Sequence, residues 1–263
     1  MTFEPDSIES LILIMIAGII SGIINVLAAS GSMLILPLLI FLGIDPNVAN
    51  GTNRIAILFQ NIVAVRNYRK QKILPIRVNL PILIAATLGA TLGSLFVVSI
   101  DRATLTLIIG YLFIVMFVVM LFKKKYWFKN STETNFEKIK SKTMIVIFFF
   151  IGFFGGFIQA GVGVFLLAGL IAGIGYDIIR ANALKVFVVL VYTPVSIAIF
   201  LYNDMIIWEI GIALALGHII GAYFASKYAS RMGLKFLNYL LLVIILLSGL
   251  EFIGVREFLL KLI

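Results

Sequence analysis

The sequence predicts an all-α polytopic membrane protein made of two inverted repeats, each a broken hairpin followed by three transmembrane helices. Three observations predict it. First, 62% of the 263 residues are hydrophobic and 13% are charged, with a mean hydropathy of +1.15. A soluble domain carries about 25% charge and under half apolar residues. Second, two apolar stretches are interrupted by small and polar residues. Third, the basic residues gather in a few short segments, the pattern of cytoplasmic loops in multi-pass proteins.

A helix needs about 20 apolar residues to cross ~30 Å of hydrocarbon. The candidates are 8–29, 47–66, 79–99, 104–122, 143–160, 181–201, 206–226 and 236–254. Residues 32–42 and 162–174 are too short, and each directly follows an interruption. The first interruption holds Asn25, Ala28, Ala29, Ser30, Gly31 and Ser32. The second holds Gln159, Gly161 and Gly163. These are expected to be the tips of two membrane-buried hairpins, at 8–43 and 143–175.

Charge then orients the chain. Arg66, Arg69, Lys70, Lys72 and Arg77 form one cluster, seven lysines lie in 123–142, and Lys227, Arg231 and Lys235 form a third. With these in the cytoplasm, the acidic N-terminus, 99–103 and the acidic 202–209 fall outside. The first hairpin then enters from outside and the second from inside, so the halves are inverted. The expected division is a first repeat over 1–122, a cytoplasmic basic linker over 123–142, a second repeat over 143–254 and a tail over 255–263. The helices after the hairpins are 47–66, 79–99 and 104–122 in one half, and 181–201, 206–226 and 236–254 in the other. The N-terminus lacks the basic region of a signal peptide, so the first apolar stretch is expected to be retained. The linker also suits anionic lipid. The net charge of +9 is a matter of topology, and no nucleic-acid partner is expected.

The duplication is visible directly. Gly43, Asp45, Ala49 and Asn50 recur as Gly175, Asp177, Ala181 and Asn182. Ala85, Gly89 and Gly93 recur as Gly217, Gly221 and Ala225. Both are small-xxx-small series, which let helices approach closely in lipid. Upstream, Gly18, Gly22 and Asn25 match Gly152, Gly156 and Gln159.

Broken helices near the midplane of inverted repeats mark transporter binding sites. Backbone freed at such a break must face protein or a wet cavity, and the N–H groups at helix starts suit an anion. Asn25, Ser30, Gly31, Ser32, Gln159, Gly161 and Gly163 are therefore the expected tip contacts. Arg54 and Lys185 are cations inside spans, with no carboxylate beside them in sequence. They point to an anionic substrate, although snorkelling to the interface competes, above all for Lys185. Asn53 and Asn182 sit on the same helix starts as donors or caps. His218, the single histidine, reads either as a proton relay or as an interhelical hydrogen-bond donor. Tyr192, Thr193 and Pro194 mark an expected kink. With no cysteine, no HExxH, no GxSxG and no Walker A loop, neither an enzyme nor an ATP-driven pump is expected. No cofactor or metal is expected either.

The duplicated hairpins resemble those of the sulfite exporter TauE/SafE family. The first reads GIISGIINVLAASGSMLILPLLIFLGI, followed by VANGTNR; the second reads GFFGGFIQAGVGVFLLAGLIAGIGY, followed by RANALK. The resemblance extends over about 8–253. It implies a plasma-membrane secondary transporter of seven or eight helices for sulfite or an organosulfonate-type sulfur compound. The first tip departs from the family's usual glycine cluster, having one glycine in 28–32. An anion channel, or a membrane-embedded assembly factor or enzyme, are the alternatives.

Overall fold

A computed structural model describes residues 7–28, 30–76, 79–122, 136–228 and 235–255. Among them the chain is helical. The first half contains α1 (Ile8–Ala28), α2 (Ser32–Phe41), α3 (Pro46–Lys70), α4 (Leu80–Val97) and α5 (Arg102–Phe122). A single turn, α6 (Phe136–Ile139), precedes the second half. That half contains α7 (Lys142–Phe157), α8 (Val162–Ala168) with its π-helical continuation Gly169–Ile174, α9 (Ile178–Tyr202), α10 (Trp208–Tyr228) and α11 (Lys235–Phe252). The basic stretch 123–135 and the tail beyond 255 lie outside the described residues.

Both breaks fall where small and polar residues were read. Each short second arm, α2 or α8 with its π segment, ends on a glycine in the left-handed region: Gly43 at φ +86° and Gly175 at φ +92°. Glycine adopts this conformation without a Cβ penalty. An aspartate then caps the next helix. Asp45 accepts from the backbone N–H of Asn47 at 2.9 Å, and Asp177 accepts from Ile179 and Arg180 at 3.0 Å. Such caps satisfy N–H groups that a helix start leaves unpaired. The Gly-x-Asp recurrence is thus a stop signal followed by a start signal, used twice.

Among the described residues, five helices are long and apolar enough to cross a membrane: α1, α4, α5, α9 and α10. α3 is long enough but is the polar exception, carrying Asn47, Asn50, Asn53, Arg54, Gln60 and Asn61, all buried within the protein. It is a central helix whose polar side is turned inward, while Phe59 and Ile62 are exposed. The outer helices do the reverse. Leu88, Leu92 and Leu95 of α4, and Ile212, Leu216 and Ile220 of α10, recur at helical spacing and stay exposed, the apolar stripe expected of a lipid-facing side. α9 remains helical through Pro194; the Thr193 hydroxyl bonds to the Val189 carbonyl at 2.6 Å.

The small-residue series set the packing. A Cβ on Gly217 or Gly221 would overlap the backbone oxygens of Met15 and Ile19, so α1 and α10 touch backbone to backbone. In the other half, Gly89 and Gly93 of α4 lie on the carbonyls of Phe149 and Phe153, while Gly152 and Gly156 of α7 lie on those of Ala86 and Ala90. In both pairs the residue numbers rise together, so the helices are parallel. α3 follows α10, since Thr52 accepts from the Ile207 N–H and Asn67 donates to Ser226. α9 follows α4, through Asn79 to Tyr176 and Ser94 to Ser196. α3 and α9 cross antiparallel, with Gly51 and Arg54 against Phe200. α5 and α11 are antiparallel, Gly110 meeting Phe252 while Gly249 meets Ile114. Each hairpin's first arm therefore packs on a helix of the opposite half.

Candidate functional site

The two hairpin tips meet. Gly161, the residue before α8, adopts φ +85°, and a Cβ there would press on the methyl group of Met33 in α2. Beside this contact lies a cavity lined by Asn25, Ile57, Gln60, Asn61, Gln159, Val162, Gly163, Lys185, Val186 and Val189. Its volume is about 20 Å³, room for roughly one water. One wall is the end of α1, another the start of α8, and α3 and α9 supply the remainder.

Lys185 is 3% exposed. Its ammonium donates to the carbonyls of Asn25 at 3.0 Å and Val26 at 3.3 Å, and to Asn182 Oδ1 at 2.9 Å. The two carbonyls belong to the last turn of α1, where a helix leaves acceptors unpaired and carries partial negative charge. A lysine placed there both bonds the acceptors and balances that charge. Asn25 continues the polar wall: its Nδ2 donates to Gln60 Oε1 at 3.2 Å, and Gln60 donates to Asn61 Oδ1 at 3.4 Å.

Arg54 has the same relation to the other hairpin. It is fully buried. Its two terminal nitrogens donate to the carbonyls of Gly155 at 3.2 Å and Gly156 at 2.6 Å, in the last turn of α7. Asn50 donates to the Phe157 carbonyl at 2.8 Å, and Ser94 donates to Gly156 at 3.1 Å. The last three carbonyls of α7 thus all have side-chain donors. The guanidinium stacks 4.6 Å from the centroid of Phe200, a cation–π contact. Arg54 also donates to Gln159 Oε1 at 3.5 Å, and the Tyr192 hydroxyl does so at 3.3 Å. Arginine has no acceptor, so Gln159 must turn its oxygen toward Arg54. Its amide N–H groups are then left for the cavity.

Of the residues expected from sequence, the structure brings Asn25, Gln159, Gly163 and Lys185 to one cavity. Asn182 stands behind Lys185 as its acceptor. Arg54 lies outside the lining, bonded to the α7 tip. Ser30, Gly31, Ser32 and Gly161 form the turns that carry the tips, Gly31 resting on the Ser21 carbonyl. Asn53 is buried and its Oδ1 has no partner among the described residues. His218 is fully buried in the α1–α10 contact, beside Gly18 and Gly22, and neither ring nitrogen has a hydrogen-bond partner among the described residues. The interhelical bond weighed for it is not made. Gln60 and Asn61 were missed. Their signal was the density of carboxamides on α3 at membrane depth.

An ammonium, four carboxamides and no carboxylate around one cavity, between broken helices of a multi-pass bundle, define a membrane transporter. The chain belongs to the sulfite exporter TauE/SafE family, whose model matches residues 14–252. It is similar to a probable membrane transporter protein, ORF9, of Sinorhizobium sp., with 25% identity over 87% of each chain. It is also similar to a probable membrane transporter protein of Haemophilus influenzae, with 25% identity over 86% of this chain and 88% of that one. A third relative is the probable membrane transporter protein YfcA of Escherichia coli K12, with 20% identity over 86% and 82%. No solved structure matches the chain.

Proposed function

We propose that the protein is a secondary transporter that moves a small anion, sulfite or an organosulfonate-type sulfur compound, across the plasma membrane by alternating access. The observation that carries this reading is the cavity between the tips, where Lys185 is the cation and Asn25, Gln60, Asn61 and Gln159 supply neutral polar groups. A sulfur oxyanion offers several acceptor oxygens and needs donors without a competing carboxylate. Ile57, Val162, Val186 and Val189 give the apolar side on which a short organic substituent would rest. Arg54 serves this site through Gln159, as the cap that holds the α7 tip in place.

Two features support alternating access. The space between the tips is narrow, with room for roughly one water, and in this reading the tips part as the oxyanion loads. Helix direction supports it too: α1 and α7, α3 and α9, and α4 and α10 run in opposite directions, as the helices of an inverted repeat would. The orientation we favour puts 123–142 in the cytoplasm and the N-terminus outside. Because the chain has no cysteine, side-specific labelling of single cysteines introduced into 123–142 and 203–205 tests it.

The deciding experiment is flux of labelled sulfite, sulfoacetate and small carboxylates in proteoliposomes. Saturable uptake with counterflow is expected; a non-saturating conductance would make the protein a channel, and no flux across the panel would overturn the function. His218 is the candidate proton site, a buried imidazole whose two nitrogens have no partner among the described residues. Its replacement, His218→Gln, is expected to remove the dependence of uptake on a proton gradient while leaving anion-for-anion counterflow. Unchanged gradient dependence would return His218 to packing alone.

A further inference from the structure

We infer that the two hairpin tips do different work: the α7 tip is a fixed wall, the α1 tip is a gate, and Lys185 is the latch between that gate and the bound anion. The inference rests on the reading of the cavity as the anion site. Each tip is held by a cation reaching across from the opposite half onto the last carbonyls of a broken helix. The two cations differ in what else they touch. Arg54 is sealed away from the cavity, and Asn50 and Ser94 share its task on Gly156 and Phe157. An anion in the cavity has no way to compete for those bonds. Lys185 instead lines the cavity.

An ammonium has three N–H donors and no acceptor. Those of Lys185 are already engaged, with Asn25 O, Val26 O and Asn182 Oδ1 among their acceptors. An arriving oxyanion can therefore bond to Lys185 only by taking a donor from one of them. When that acceptor is a carbonyl of α1, the helix end loses its hydrogen bond and part of the positive charge that balances its dipole. Asn25 is joined to Gln60 across the cavity, so the same rearrangement reaches α3. Anion binding and release of the α1 tip are then one event, a coupling between site and gate. The α7 tip keeps its donors throughout, and Gln159 stays aimed at the cavity.

The absence of cysteine makes the test direct. Ser30→Cys reports on the α1 tip and Ala160→Cys on the α7 tip; both positions are buried. Thiol modification by N-ethylmaleimide is followed in proteoliposomes without anion, and sulfoacetate serves as the anion for binding, since sulfite itself would consume the reagent. Adding Lys185→Gln to Ser30→Cys, with no anion present, is expected to raise the modification rate about fivefold or more, and Lys185→Arg to restore a slow rate. The Ala160→Cys rate is expected to stay within about twofold in the same backgrounds. An unmoved Ser30→Cys rate, or an equal rise at both tips, overturns the latch. Sulfoacetate binding is measured in parallel. If Lys185→Gln binds it as the parent does, the site reading falls and the latch with it. If binding is lost while Ser30→Cys does not respond, the latch alone falls.

Discussion

Lys185→Gln is expected to cripple saturable anion uptake, with kcat/KM falling by about 100-fold. The magnitude follows from what the ammonium does at that position. A hydrogen bond to a charged group in a site shielded from water is worth roughly 1.5–3 kcal/mol, and 1.4 kcal/mol is about tenfold. Lys185 is the cation of the cavity lining, and the four carboxamides around it are neutral. Glutamine keeps much of the length and a donor but none of the charge. It also leaves the Asn25 and Val26 carbonyls short of donors at the end of α1. Lys185→Arg is expected to keep measurable uptake with a raised KM, because a planar fork does not replace a compact ammonium among three acceptors. Initial-rate uptake of labelled sulfite against concentration, normalised to protein in the liposomes, reads both. Uptake by Lys185→Gln within about threefold of the parent, under 1 kcal/mol by the same conversion, would remove Lys185 from the site.

The contrast between the two cations shows what was legible in the chain and what was not. The ends of the hairpins were legible because their causes are local: a left-handed glycine and an aspartate cap, each at a matching place in both halves. The close helix pairs were legible as small-xxx-small series, since only small residues let backbones touch. Which cation meets the cavity was not. Arg54 and Lys185 sit one residue out of step in the repeat, Asn53 being the counterpart of Lys185, and one residue is roughly 100° around a helix. Depth along the helix favoured Arg54 as the anion ligand, yet its rotation turns it onto the α7 carbonyls. Gln60 and Asn61 were hidden for the same reason. On a helix carrying so many polar residues, only the rotation and the neighbours of α3 separate cavity lining from interhelical packing. His218 is the opposite case: its sequence context suggested a bond across the helix pair, and in the close α1–α10 contact its nitrogens have no partner among the described residues.

Gly156→Leu is expected to be the most damaging substitution for the fold, lowering the midpoint of thermal unfolding in detergent by roughly 10 °C or preventing recovery of folded protein. Overpacking a core with extra methylenes usually costs about 1–3 kcal/mol because neighbouring side chains shift. Here the neighbour is the backbone of α4 itself, at Ala90, and it has no rotamer to change. α4 and α7 must separate, and the strain spreads to Gly89, Gly93 and Gly152 along the same contact. The Gly156 carbonyl also accepts from Arg54 and Ser94, so displacement of α7 strips donors from its last turn. Gly221→Leu in the α1–α10 contact meets the Ile19 backbone in the same way. It is expected to cost a comparable amount. Leu88→Phe, on the exposed face of the same α4, is the control and is expected to leave the midpoint unchanged. If Gly156→Leu and Leu88→Phe melt together, the backbone contact between α4 and α7 does not hold the protein together. A loss at Gly156 with none at Gly221 would instead make the two helix pairs unequal, with the stability concentrated around the tip that Arg54 holds.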